Sequence, residues 1–110
     1  MAREFEVQNS DEFERMINSK DIRISEALVS TILKNLKGTK RHHHALSIIS
    51  IDEDAIFDVT IDRNDFSHTL QESLFIYERE ERYEDCIKIQ KAIKFLEKKP
   101  KKLKKPKKKK

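Results

Sequence analysis

Apolar side chains recur along this chain with two periods, and the changes of period mark out its elements. Phe5 and Val7 alternate with Glu4, Glu6 and Gln8, which predicts a short edge strand. Ser10 stands where a helix N-cap belongs. Asp11, Glu12 and Glu14 fill the next turn, where the helix dipole favours carboxylates. Phe13, Met16 and Ile17 make one stripe, so this helix is short and ends near Ser19. Leu28, Val29, Ile32, Leu33 and Leu36 predict a second helix, capped by Asp21 or Ser25. Gly38 reads as its C′ residue, where a left-handed backbone tolerates no β-carbon easily.

Thr39-Lys40-Arg41-His42-His43-His44 then reads as a basic loop. β-Branched residues crowd 45–51 and 55–61, with Asp52-Glu53-Asp54 between them, which predicts an antiparallel hairpin. Pairing Ile51 with Ala55 sets Ile49 opposite Phe57 and Ser47 opposite Val59, with Phe57, Val59 and Ile61 on the buried face. A hairpin alone is marginal in water and needs helices on that face. Phe66, Leu70, Leu74 and Tyr77 supply the first, widened by Phe75 and Ile76 and offered caps by Asp62, Asn64 and Asp65. After the charged break Glu78-Arg79-Glu80-Glu81-Arg82 comes a second. It carries Tyr83, Cys86, Ile87 and Ile93 on one side, and Ile89, Ala92 and Leu96, with Phe95, on another. A helix apolar on two sides touches two things: here the preceding helix, and either the sheet or another protein chain.

Together these elements predict an α+β fold over residues 1–97. A small antiparallel sheet is packed by about four helices and closed by an antiparallel helical hairpin. The chain has 110 residues, 36% hydrophobic and 40% charged, enough for one small core. With a single glycine, a Gly-rich phosphate loop is ruled out. Cys86 is the only cysteine, so no internal disulfide forms. It lies in an apolar stripe and reads as a packed core thiol in a reducing, cytoplasmic compartment. The start has no apolar signal region and no run approaches the roughly 20 apolar residues of a membrane span, so neither secretion nor membrane insertion is expected.

The net charge of +4 hides a division. The last 13 residues hold ten of the 24 basic side chains and no acid. The first 97 therefore carry 14 basic and 20 acidic residues, a net of −6. Lys98, Lys99, Lys101, Lys102, Lys104, Lys105, Lys107, Lys108, Lys109 and Lys110 repel one another, Pro100 and Pro106 interrupt any helix, and Leu103 is the one apolar side chain. A disordered tail is expected. Such a tail attracts phosphate by counterion release. It has no aromatic to stack on bases and no Arg to read them, so sequence-tolerant nucleic-acid binding is the leading reading. An acidic protein surface, a solubilising role, an anionic lipid or a nuclear-import-like signal compete with it. Lys37, Lys40 and Arg41, with Lys34, offer a second phosphate contact.

Other candidate chemistry is thinner. On a strand, His42 and His44 would share one side and His43 point away, so at most two could ligate together. The acids at 52–54, 58, 62 and 65 sit where turns and caps use carboxylates. No metal and no cofactor is expected. Ser, His and acid are all present, but no spacing links them into a nucleophile elbow.

Glu81-Arg82-Tyr83-Glu84-Asp85-Cys86-Ile87-Lys88-Ile89-Gln90-Lys91-Ala92-Ile93 resembles the UVR motif of bacterial nucleotide-excision-repair and Clp-adaptor proteins. Tyr83-Glu84 match its aromatic-acid pair, Cys86 its first small residue, and Ile89 and Ile93 its aliphatic positions. Ile87 stands for a second small residue, Gln90 for an Arg and Lys91 for an Asp. The resemblance covers about a fifth of the chain. It implies an antiparallel helical hairpin that pairs with another protein, through Tyr83, Ile89, Ala92 and Phe95 here.

The expectation is a small non-enzymatic accessory protein. Its body recognises a protein partner or a second copy in a homodimer, and its tail binds DNA or RNA. A protein-only adaptor or inhibitor is the second reading, and a small metal-dependent nuclease using His42–His44 and the acidic hairpin the third.

Overall fold

The computed structural model describes residues 3–98. Strand β1 (Arg3–Val7) leads into helices α1 (Ser10–Asn18) and α2 (Ile22–Lys34). Strands β2 (His42–Ser50) and β3 (Ala55–Asp62) follow, then a single 3-10 turn (Arg63–Asp65) and helices α3 (Phe66–Arg79) and α4 (Tyr83–Lys98). The fold is α+β, as the periodicity predicts. The sheet order is β1-β2-β3, with β1 parallel and β3 antiparallel to the central β2. The parallel pair requires a long crossover, and α1 and α2 provide it.

The hairpin register differs by one residue from the expected one. Ser50, not Ile51, pairs with Ala55, and Ile49 faces Ile56. The reason lies on the other edge of β2. The Ile51 and Asp52 amides donate to the carbonyls of Val7 and Gln8, at 3.0 and 2.9 Å, which draws Ile51 out of the hairpin ladder. Asp54, at φ 49°, closes the resulting four-residue turn. A one-residue slip exchanges the two faces of a strand. Leu46 and Ile48 therefore point into the core, fully buried, while Ile51 is 55% exposed. A bulge at Ala45 resets the alternation, so that buried His43 pairs with Ile61. The three histidines thus belong to the central strand rather than to a loop.

Two further boundaries moved. Asn9, not Ser10, caps α1, accepting from the Glu12 amide at 3.1 Å. Helix α2 ends at Lys34, and Asn35 caps it, its side-chain amide donating to the Thr31 carbonyl at 2.7 Å. Gly38 is not left-handed. Among the described residues, the left-handed ones are Lys20 and Glu81, along with Asp54. Lys20 follows α1 and Glu81 follows α3, and each is the C′ residue of a Schellman turn. The Asp21 amide donates to the Met16 carbonyl and the Arg82 amide to the Tyr77 carbonyl. Arg79 joins the two turns, its guanidinium donating to the carbonyls of Ser19 (3.3 Å) and Lys20 (2.8 Å).

The core has two adjoining parts. One holds Val7, Met16, Ala27, Leu46 and Ile48, between the sheet, α1 and α2. The other holds Val29, Ile32, Ile61, Phe66, Leu70, Tyr77, Cys86, Ile89 and Ala92, where α2, α3 and α4 meet the end of β3. Leu28 packs against both. Glu4, Glu6, His42, His44, Asp58 and Thr60 lie exposed on the opposite side of the sheet.

Candidate binding groove and cationic face

The end of helix α2, the residues just after it and helix α4 leave a groove of about 350 Å³, lined by Leu33, Leu36, Lys37, Lys88, Lys91, Ala92 and Phe95. The two helices meet because Ile32 and Ile89, both fully buried, share one core cluster. Leu33 on α2 and Leu36 just beyond its end flank this contact, and Lys88 and Lys91 flank it on α4. Residues 88, 91, 95 and 98 recur at helical spacing, so Lys88, Lys91, Phe95 and Lys98 lie along one stripe. A neighbouring cleft shares Leu33 and Lys88 and adds Lys34, but Glu26, Arg82 and Asp85 line it as well, so its charge is mixed. Among the described residues, no carboxylate pairs with Lys34, Lys37, Lys88 or Lys91.

This geometry sorts the sequence-predicted site residues. Lys37, Ala92 and Phe95 come together in the groove. Lys88 and Lys91 belong with them and were missed, although their spacing of three around Ile89 was the available signal. Ile89 is a correction: fully buried in the core, it offers no surface to a partner. Ala92 is 3% exposed and contributes only floor. Tyr83, 62% exposed, starts the helix and does not line the groove. Lys40 is exposed. Arg41 is exposed too but tied down, its Nε donating to Asp62 at 2.9 Å. Lys98 is the last residue of α4, exposed and helical, where the tail was expected to begin. The other nine tail lysines, at 99–110, lie outside the described residues.

The remaining candidate chemistry is resolved by distance. His43 is buried against the Phe66 ring, with its Nε2 3.0 Å from the Lys40 carbonyl. Among the described residues, no group of three or more His, Cys, Asp and Glu side chains is placed to hold a metal. His44, Ser47 and Asp58 do meet: His44 Nε2 is 2.9 Å from Ser47 Oγ, which donates to Asp58 Oδ1 at 2.7 Å. Asp58 lies 3.4 Å from that same ring nitrogen. An activated serine needs its acid on the other nitrogen of the imidazole, so this trio does not form that relay. Cys86 is packed in the core, and burial, with Glu78 and Asp85 nearby, pushes its thiol up from the ordinary value, away from the reactive thiolate.

Compared with known protein families, curated proteins and solved structures, the chain gives no match in any of the three. No helix among the described residues is long and apolar enough to cross a membrane.

Proposed function

We propose that this chain is a small non-enzymatic accessory protein of the cytoplasm that joins a protein partner to nucleic acid. The observation that carries this reading is the placement of charge. The stripe Lys88, Lys91, Lys98 runs down α4, and nine further lysines follow it in the sequence at 99–110. The first 97 residues carry a net charge of −6, which repels phosphate except along this side. The tail, from Lys98 onward, engages DNA or RNA without reading sequence. The α2–α4 side of the final hairpin engages the protein partner, in keeping with the UVR-like pairing that the sequence suggests.

Duplex DNA and RNA binding, followed by fluorescence anisotropy across a salt series, tests the nucleic-acid half. If about five lysines contact phosphates, log K falls against log salt with a slope of roughly −4 to −5 on duplex DNA. Replacing the ten lysines of 98–110 by Gln in the full chain removes most of that slope. Equal affinity for the two proteins overturns the tail's role.

The second reading, a protein-only adaptor or inhibitor, is favoured by the apolar floor of the groove, which phosphate does not require. Partners that remain bound after exhaustive nuclease treatment of a lysate support it, and partners lost on that treatment support the first.

A further inference from the structure

Strand β3 is an open edge of the sheet. It is eight residues long, against five for β1 at the other edge. Beyond β2, no backbone among the described residues bonds to it. Edge strands are commonly protected by lysine, proline, a bulge or short length. β3 contains no lysine and no proline, and the bulge of the hairpin lies on β2. Its two acids do not shield the edge, because both turn inward. Asp58 accepts from Ser47 at 2.7 Å and Asp62 from Arg41 at 2.9 Å. On the helix side of the sheet Phe57 is still 37% exposed and Val59 half-buried. The apolar row Phe57, Val59, Ile61 is thus unfinished where the edge is open.

We propose that β3 pairs with β3 of a second copy, antiparallel across a two-fold axis, and so joins two three-stranded sheets into one. The backbone groups of an open edge are satisfied by another strand, and the side chains select which one. Opposite residues of a ladder share a face. An antiparallel self-pairing must therefore set odd positions opposite odd ones and even opposite even. Two such registers keep nearly the whole strand. One centres on Asp58 and sets that carboxylate against its own copy, which is destabilising. The other centres on Val59. It sets Phe57 opposite Ile61 of the second copy, Val59 opposite Val59, and Asp58 opposite Thr60, with Ile56 and Asp62 at the ends. The apolar row then continues across the axis on the helix side, and on the open side the Thr60 hydroxyl meets an acceptor. In this one register the strand is complementary to itself.

The nearer alternatives fit less well. β1 of a second copy is shorter and carries Glu4 and Glu6 on the open side, where they would face the acids of β3. Such head-to-tail addition also builds rings or filaments instead of a closed pair. The chain's own lysines at 99–110 surround Pro100 and Pro106, which cannot donate to a ladder, and bring only Leu103 to the Phe57 row. The pairing stands apart from the α2–α4 side and does not rest on the tail. It does set two lysine tails on one particle, which adds avidity to the nucleic-acid reading.

The test uses the nuclease-treated full chain in sedimentation velocity over a concentration series, with amide hydrogen exchange followed at low and high concentration. The mass rises from that of one chain to that of two, and exchange of the β3 amides slows with it. Thr60→Asp sets two carboxylates opposite each other at two symmetric places and weakens association by roughly tenfold. Thr60→Lys sets an ammonium opposite Asp58 at the same places and strengthens association by a similar factor. Thr60 is exposed, so a thermal midpoint unchanged at low concentration shows that both variants are folded. Gln at the ten tail lysines leaves the pairing intact, which separates it from the tail's role on nucleic acid. A mass of one chain at every concentration overturns the proposal and leaves the edge to a strand of another protein. A pair indifferent to both changes at Thr60, or one whose β3 amides gain no protection, joins through another surface and overturns it too. Association that grows past two copies is head-to-tail addition and has the same consequence.

Discussion

A β-carbon placed on Gly38 would lie 3.2 Å from Nη2 of Arg63. Arg63 is held on the far side of that contact. Its Nε donates to the Lys40 carbonyl at 2.7 Å, and its guanidinium stacks over the Phe66 ring at 5.0 Å from the centroid. The only glycine in the chain thus sits in a tight space rather than in a left-handed backbone. Gly38→Ala gains from a stiffer unfolded chain and loses by pushing Arg63 off its seat. We expect the two to cancel within ~0.5 kcal/mol. In an Arg63→Ala background the push disappears, and Gly38→Ala should stabilise by ~0.4–1 kcal/mol. Urea midpoints of the four proteins measure the coupling, and identical effects in both backgrounds would refute it.

Asp21 caps α2, accepting from the Arg23 amide at 2.9 Å, and its carboxylate also receives two bonds from the Arg23 guanidinium. Those side-chain bonds hold its acid constant below the ordinary 3.8. A carboxyl depressed in the folded state stabilises above its unfolded value and stops doing so as pH falls through the folded one. Asp21→Ala should cost ~1 kcal/mol at neutral pH. Asp21→Asn keeps a capping oxygen but loses the charge pair. Its deficit against the parent should close as pH drops below 3.8. Denaturant midpoints between pH 7 and 2 follow this, and a deficit independent of pH would contradict it.

Most of the fold was legible because its helices obey one period. Leu28 to Leu33 and Phe66 to Tyr77 repeat at three and four, and their buried members, such as Ile32 and Leu70, are where the pattern puts them. The sheet was read with the wrong face of β2 inward. Ser47, Ile49 and Ile51 alternate as convincingly as Leu46, Ile48 and Ser50. What decides between them is the Ile51 amide bonding to Val7, a contact 44 positions apart in sequence that no local pattern carries. The groove was half legible for a similar reason. Phe95 and Ala92 stood out as a second apolar side. That α2 covers Ile89 and stops short of Phe95 depends on where two distant helices cross.

The non-glycine C′ residues give a stability prediction independent of any function. Lys20 and Glu81 hold φ of 58° and 61°, a region that penalises a β-carbon. Lys20→Gly and Glu81→Gly should each stabilise by ~0.5–1 kcal/mol, since relief of strain exceeds the added freedom of the unfolded chain. The two turns are joined by Arg79, so the double variant will fall short of additivity if either change loosens that bridge. Thermal midpoints that drop with either substitution would show that the backbone pays no strain there.

Tyr77 is 4% exposed, and burial, with Glu26 close by, pushes its hydroxyl up to about 12 from 10.0. A phenol that ionises later when folded binds its proton more tightly in the native state. The stability it contributes is present below pH 10 and is lost between 10 and about 12. Tyr77→Phe removes this proton linkage, so the variant's alkaline stability should fall less steeply than the parent's over that window. Urea unfolding from pH 9 to 12 supplies the comparison. Parallel curves would place the phenol's titration at its ordinary value.

Two isoleucines two positions apart on α4 separate core from surface. Ile89 is fully buried against α2 and α3, while Ile87 is 53% exposed. Ile89→Ala deletes three buried carbons and leaves a cavity, at a cost of ~2–5 kcal/mol. Ile87→Ala deletes the same carbons from a wet face and should stay within ~0.5 kcal/mol. The pair also bears on the UVR-like reading, in which position 87 is small so that a second helix can approach. If that approach occurs in a complex, Ile87→Ala should strengthen partner binding while leaving stability unchanged, whereas Ile89→Ala should weaken binding only through the fold. A partner lost on Ile87→Ala would instead make this side chain an anchor, and a partner indifferent to it would place the contact elsewhere on the hairpin, on the side where Lys88, Lys91 and Phe95 face α2.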